Sequence, residues 1–371
     1  MKILQICSAR WYGGGEVHVL ELIESLRRRG HQVEAAVRAG SEIEKRLALQ
    51  EIALHPLPFR SAVDLTSAWK LGGIWKKGQF ELAHSHTGRD YLISCLAKFR
   101  VFESRLILTR QLLDPPRRNR VTQALYRKQV DRFIVTTRQM RQRLLSAFDF
   151  PPERVVQIPN WVDLTRFASM PDRAAARRHF QITRPLAIGM LGQISPHKGQ
   201  EDFIRAAALL SRRFSDLEFF IAGAENDPLQ PCSQSLQRLV QQLELGGRIH
   251  FYPFLDNVVH YLAALDIFVL PSWEEPFGIV LLEAMAAGIP VVATRSGGPL
   301  EILAHHTSPV YAQPRDPHSL ADAMEALIRS PELRKRLSRE GLQMVRAYDK
   351  DQVMNQLEET YSGLLQRSPV S

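Results

Sequence analysis

Pro271-Ser272-Trp273-Glu274-Glu275-Pro276-Phe277-Gly278-Ile279-Val280-Leu281-Leu282-Glu283-Ala284-Met285-Ala286-Ala287-Gly288 is the stretch on which the fold turns. Just before it, the apolar run Ile267-Phe268-Val269-Leu270 reads as a buried strand. A loop with Pro276 and Gly278 then leads into an apolar, Ala-rich helix that Gly288 and Pro290 terminate. Strand, loop and helix in that order make half of a βαβ unit. Glu275 falls in the loop and Glu283 inside the helix. Helical side chains lean toward their own N-terminus, so Glu283 points back beneath Glu275. The same helix end presents free N–H groups and a positive dipole, a seat for an anion such as a diphosphate. Two hydroxyl acceptors beside an anion seat suit a sugar nucleotide.

Outward from this segment the pattern repeats. Residues 3–7, 33–37, 82–86, 106–109 and 133–136 read as strands, and 17–29 as a helix with Val17, Leu20, Ile23 and Leu26 at helical spacing before Gly30. In the second half, residues 186–191, 218–222, 249–251, 267–270 and 290–293 read as strands. Helices fit between them at 200–213, 236–243, 258–264 and 278–287. Such alternation predicts parallel sheets with ligands at the strand C-termini.

The chain of 371 residues is long enough for two cores, and its 45% hydrophobic and 23% charged content is that of a globular protein. No apolar run approaches membrane-spanning length, and residues 1–7 read as a first core strand, not a secretion signal. Cys7, Cys95 and Cys232 lie far apart, which argues against a disulfide framework or zinc site and favours a reducing cytoplasm. The net charge of +9 is uneven: residues 1–170 hold 28 Lys/Arg against 16 Asp/Glu, residues 171–371 hold 20 against 23. A basic first half suggests an anionic partner there. No nucleic-acid-binding signature accompanies it, which leaves an anionic membrane surface or a phosphorylated glycolipid.

The run from Glu275-Pro276-Phe277-Gly278 through Glu283-Ala284-Met285-Ala286 resembles the signature of retaining glycosyltransferases of family four (glycosyl transferases group one). The resemblance implies an α/β protein of GT-B fold: two Rossmann-like doubly wound domains facing a cleft, with a C-terminal helix crossing back to the first. It further implies that Glu275 holds hydroxyls of the donor sugar and Glu283 those of the ribose, with Phe277, Gly278 and Ile279 beside the donor. Ile158-Pro159-Asn160-Trp161-Val162-Asp163 resembles the family linker, with Trp161 in place of its glycine. The expected division is 1–170 for the acceptor-binding domain, 171–345 for the nucleotide-sugar domain, and 346–371 for the returning helix.

Arg10-Trp11-Tyr12-Gly13-Gly14-Gly15-Glu16 follows the first strand and opens the first helix. Its glycines allow close backbone approach, and equally they suit a turn needing left-handed residues. It lacks the Gly-x-Gly-x-x-Gly spacing of dinucleotide folds. The resemblance places Gly14 and Gly15 against the donor phosphates and Arg10 and Gly13 on the acceptor side. In Gly192-Gln193-Ile194-Ser195-Pro196-His197-Lys198-Gly199, Lys198 is the cation for the diphosphate leaving group, and Gln193 stands where the family has arginine. His84 and His86 share one strand face without a third metal ligand, and the resemblance puts His86 at the acceptor side in a catalytic role. Arg110, followed by Gln111, stands where the family has a histidine, which leaves the sugar open.

Residues 223–227 and Tyr252-Pro253-Phe254 resemble the turns near the nucleoside, and Ser296-Gly297-Gly298-Pro299-Leu300-Glu301 the turn after a later strand, where Glu301 caps its helix. Asp349-Lys350-Asp351 reads as a solvated surface. Residues 69–77 and 117–128 mix Trp or Tyr with Lys and Arg, a composition shared by interfacial segments and ordinary solvated helices.

The implied protein is a retaining, metal-independent enzyme without cofactor. It moves a sugar from a nucleotide-diphosphate sugar to a glycan or glycolipid acceptor, in cell-envelope polysaccharide or lipopolysaccharide synthesis. It would be cytoplasmic or peripheral on the inner membrane face, without nucleic acid as a partner. The competing expectations are a nucleotide-sugar epimerase on the same fold and a non-catalytic relative that binds lipid or a partner.

Overall fold

The computed structural model describes all of the chain except residues 12, 117, 226–231, 308–309 and 367–371. Tyr12, Arg117, Asn226 and Asp227, named above, lie outside the described residues. The chain divides into two units, Met1–Asn160 with Val353–Ser371, and Trp161–Gln352.

The strands of the first unit are β1 Lys2–Cys7, β2 Gln32–Arg38, β3 Leu54–Leu57, β4 Leu82–Ser85, β5 Arg105–Arg110, β6 Arg132–Val135 and β7 Val155–Gln157. They form one parallel sheet in the order β3-β2-β1-β4-β5-β6-β7. Central strands such as β1 and β4 are buried on both faces, and the polar groups they carry there, Gln5 and His84, are hydrogen-bonded. The chain leaves β1 toward β2 on one side and returns to β4 on the other. Where the winding reverses, the C-terminal ends of β1 and β4 open a crevice, the usual ligand position of doubly wound sheets.

The second unit repeats the plan. Its strands are β8 Leu186–Leu191, β9 Leu217–Ala222, β10 Ile249–Tyr252, β11 Ile267–Leu270, β12 Val291–Thr294 and β13 Tyr311–Ala312. All are parallel, in the order β10-β9-β8-β11-β12-β13, so the winding reverses between β8 and β11. The Gly192–Gly199 and Pro271–Gly288 segments therefore leave adjacent strands at one switch point.

The strands absent from the pattern reading are all edge strands. β3 reads Leu-His-Pro-Leu with its proline in an edge strand, β7 has three residues and β13 two. The units part at Asn160/Trp161, not at residue 170, because Val162 and Phe167 are buried in the second unit's core. Val162 N–H donates to the Tyr348 carbonyl at 3.0 Å, and Lys350 N–H returns to the Val162 carbonyl at 3.0 Å. Lys350 Nζ also pairs with Asp163. Asp349 and Lys350 thus form a seam joining two segments of the unit, not the solvated surface expected, whereas Asp351 is exposed as expected, and the second unit runs on to Gln352. The helix Lys350–Leu365 continues onto the first unit, where Tyr361 is fully buried and Glu358 meets Arg29 at 2.9 Å.

Two aromatics of the basic stretches prove to be core. Trp75 is fully buried and its indole N–H donates to Ser104 Oγ at 2.7 Å, and Tyr126 packs edge-on against Phe133. Helical spacing turns Trp75 inward while Trp69 faces out, a distinction that composition does not carry.

Candidate functional site

At the second unit's switch point, the loop after β11 places Glu275 under cover. Its carboxylate accepts from Lys198 Nζ at 2.7 Å and from Ser272 Oγ at 2.9 Å, both on Oε2. Glu275 is 6% exposed and Ser272 fully buried, so the carboxylate is held at one oxygen by two donors. The Lys198 side chain keeps 28% of its exposure, so the ammonium remains open to solvent on one side.

Lys198 ends a short 3-10 turn, Pro196–Lys198, and Gly199 follows with φ of +72°. A Cβ on Gly199 would stand 2.1 Å from the Pro271 carbonyl oxygen. Only glycine permits this approach, which pins the lysine turn against the end of β11. Trp273 N–H donates to the His197 carbonyl at 2.8 Å, and its indole reaches Asp202 at 2.6 Å. From the other side, Gly298 N–H donates to the Glu275 carbonyl at 2.9 Å. The loop carrying Glu275 is thus clamped by its neighbours on both sides, and little conformational entropy remains to be lost on binding.

Gly278, at φ of +99°, begins the helix Ile279–Ala286 with no side chain capping its first turn. Phe277 is buried and lies edge-on to Tyr348. Glu283, 9% exposed, lies one helical turn in and meets Arg166 at 3.5 Å. Arg166 comes from the Leu164–Phe167 turn after the linker. Sequence reasoning missed Arg166, and no local signal marks it, because its partner is more than a hundred residues away. Ser272 was missed too, because a serine just past a strand end carries no sign of the carboxylate it will meet. Gln193 is exposed, and its carbonyl accepts from Gln200 Nε2 at 2.8 Å.

The first unit's switch point gathers a denser polar cluster. Gly13 caps the helix Gly14–Arg28, and its N–H donates to Glu16 Oε2 at 3.0 Å. Asp90, fully buried, accepts from the backbone N–H of Ser8 at 2.9 Å and of Thr87 at 3.0 Å. Burial pushes the Asp90 carboxyl up to about 6 and that of Glu16 to about 7. His86 Nε2 sits 2.6 Å from Gln5 Oε1. His84 bridges the Tyr361 hydroxyl, 2.6 Å away, and Thr109, 2.5 Å away. The two histidine rings lie 4.2 Å apart, with contacts that keep them in a hydrogen-bonded core network. Among the described residues no group of three or more His, Cys, Asp and Glu is arranged to hold a metal ion. Arg110 is buried, and its guanidinium donates to the Asp114 carbonyl at 2.8 Å, bracing the loop after β5. Gln111 reaches to within 3.2 Å of a Cβ position on Gly15. Arg10 is exposed over the Trp11 ring, and Gly14 is exposed at the head of its helix. Of this cluster, sequence reasoning singled out the glycines, His86, Arg110 and Arg10, and missed Glu16, Asp90 and His18.

The buried histidines set an acid response. Burial lowers His18 and His86 to about 3, and lowers His84 well below its ordinary value, with neighbouring histidines adding repulsion. Above pH ~6.5 they are neutral folded or unfolded; below it the unfolded chain takes up protons that the folded one refuses. Glu16 and Asp90 act oppositely, since the folded state binds their protons first as pH falls through about 7 and about 6. Three histidines outweigh two carboxyls by roughly one proton near pH ~5.5. Folding stability is therefore expected to fall by on the order of 1 kcal/mol per pH unit as pH drops below ~6.5. Urea denaturation at a series of pH values checks this, and a flat profile between pH ~7 and ~5 would contradict the buried neutral histidines.

The doubly wound sheets, each with its crevice at a winding reversal, are of the GT-B class. Residues 172–344 match the family model described as glycosyl transferases group 1, and residues 12–166 match glycosyltransferase family 4. Two curated relatives are named D-inositol 3-phosphate glycosyltransferase. That of Mycolicibacterium gilvum is 30% identical, covering 77% of this chain and 70% of its own. That of Corynebacterium glutamicum is 26% identical over 94% of this chain and 91% of its own. The crystal structure of Anabaena HepE in complex with UDP and glucose superposes with a TM-score of 0.87, at 21% identity over 98% of this chain and all of that one. The chain belongs to the group 1 glycosyltransferases and is an enzyme of that family.

Proposed function

We propose that the protein is a retaining glycosyltransferase whose second unit holds a nucleotide-diphosphate sugar. The observation that carries this reading is the Glu275–Lys198 pair, 2.7 Å apart, beside the uncapped helix head at Gly278. Lys198 and the helix N–H groups of Phe277, Gly278 and Ile279 meet the diphosphate, so that its growing charge is neutralised without a metal. Glu275, fixed at Oε2, offers Oε1 to the sugar hydroxyls. Glu283 holds the ribose, with Arg166 as the group that orients it. The Lys198 ammonium has three donors, so it meets the phosphate while still holding Glu275 at Oε2.

In the transfer step, the acceptor oxygen bonds to the anomeric carbon as the bond from that carbon to the phosphate oxygen breaks on the same face. The departing phosphate oxygen takes the acceptor's hydroxyl proton, so no protein base is required. The first unit, with Arg10, Gly13 and His86 at its switch point, receives the acceptor. Arg110 acts through the loop it braces. The acceptor is a glycan or glycolipid of the cell envelope, reached from the cytoplasmic side of the membrane. A phosphorylated polyol, the substrate in the relatives' name, is a second reading that the same basic unit favours.

Incubation with a panel of nucleotide sugars, scored for nucleoside diphosphate release with and without acceptors of both kinds, tests this. Release that an acceptor accelerates, with the anomeric configuration kept, is the expected result. An altered sugar without release would make the protein an epimerase, and absence of both release and donor binding would make it a non-catalytic relative.

A further inference from the structure

One face of the first unit exposes large apolar side chains among cations. On the helix Leu65–Gly78, Leu65 and Trp69 are 65% and 67% exposed, while Ala68, Leu71 and Trp75 on the opposite stripe are buried. Spacings of three, four and seven residues put Lys76 on the Leu65–Trp69 side, with Lys70 and Lys77 at its margin. The helix Gly88–Lys98 packs alongside, and the turn after it exposes Phe99 and Phe102, the latter by 81%. Arg100 joins the two: its guanidinium lies over the Trp69 ring at 5.0 Å and donates to the Trp69 carbonyl at 3.0 Å. Lys128, from the helix Arg120–Gln129, lies over Phe99 at 5.8 Å.

A groove runs beside Trp69 against the edge strand β3, with Leu54, Leu57 and Ile74 as apolar lining and Lys70, Lys77 and Arg100 at its walls. The neighbouring acids do little to offset these charges. Asp64 is turned inward, accepting from Ser67 and Arg60 N–H groups, and Glu103 is a single exposed carboxylate beside Phe102. No helix among the described residues is long and apolar enough to cross a membrane.

We propose that this face, Leu65, Trp69, Phe99 and Phe102 ringed by Lys70, Lys76, Lys77, Arg100 and Lys128, docks the protein on an anionic phospholipid bilayer. Aromatic and aliphatic side chains enter the headgroup boundary, and the cations meet lipid phosphates. Exposing these four apolar groups to water is unfavourable, and the surrounding positive charge opposes self-association while attracting an anionic surface. The inference rests on the reading above only in that a lipid-borne acceptor gives such docking a use.

Sedimentation of the full chain with vesicles of phosphatidylcholine, with or without about one-third phosphatidylglycerol, tests it. The expected result is binding to the anionic vesicles alone, weakened by high salt. Trp69→Ser with Phe102→Ser lowers that partitioning about tenfold. Lys70→Ala with Lys77→Ala lowers it about twenty-five-fold, roughly fivefold per lysine. Both variants should keep wild-type urea midpoints and donor hydrolysis in the absence of lipid, which separates lost docking from lost folding. Wild type that ignores anionic vesicles, or variants that bind them as wild type does, would overturn the docking face. Loss of nucleoside diphosphate release with vesicle binding intact would instead strike the transferase reading alone.

Discussion

Glu275→Ala is expected to lower kcat for sugar transfer by about 10²–10³ with the protein still folded. The carboxylate is held by Lys198 and Ser272 at a single oxygen, so it is aimed before the donor arrives. Hydrogen bonds from sugar hydroxyls to an ionised group are worth about 1.5–3 kcal/mol each, and two such bonds strengthened in the transition state account for the loss. Glu275→Gln keeps the shape and one acceptor oxygen but removes the charge, so its activity should fall between the two. Ser272→Ala, which frees the carboxylate without removing it, should cost less, about tenfold, since it forfeits one hydrogen bond of about 1.5 kcal/mol. Steady-state kinetics with the best donor of the panel reads all three. Wild-type turnover in Glu275→Ala would remove this residue from the site.

Lys198→Ala is expected to cost about 10²–10³ in kcat as well, for a different reason. Charge accumulates on the diphosphate as the glycosidic bond breaks, and a preorganised donor aimed at developing charge is worth about 3–4 kcal/mol. The substitution also leaves the Glu275 carboxylate held by Ser272, in a loop clamped by the Gly199 approach to Pro271. Because the two groups touch, the double variant Glu275→Ala with Lys198→Ala should lose much less than the product of the single losses. Strict multiplicativity would mean that they act independently and that the 2.7 Å pair has no part in catalysis. Nucleoside diphosphate should also bind more weakly to Lys198→Ala than to Glu275→Ala, since of these two residues it is the lysine that faces the phosphates.

Much of the architecture was legible because burial on both faces of a parallel sheet writes unbroken apolar runs into the chain. β1, β8 and β11 were placed to within a residue or so for that reason. The edge pieces β3 and β13 carry no such run, since an edge strand is held by its neighbour's hydrogen bonds more than by its own side chains. The linker shows a different limit. Its resemblance to the family linker put the boundary at residue 170, but Val162 and Phe167 are buried in the second unit, and Val162 and Asp163 are tied to the Tyr348–Lys350 segment. Pairing between segments almost two hundred residues apart leaves no local trace.

The Pro271–Gly288 segment by itself determined the strand, the turn, the helix and the presence of two carboxylates near an open helix end, because glycine, proline and helical period act over a few residues. Which groups those carboxylates meet was decided only by tertiary structure. Lys198 and Ser272 converge on Glu275, and Arg166 on Glu283, because β8 and β11 are neighbours and the linker folds onto the second unit. The same holds for the docking face, where Trp69 and Trp75 look alike in the chain and helical rotation sends one to water and the other to the core. Local backbone preference fixes an element within a few residues, whereas a site depends on elements brought together from distant parts of the chain.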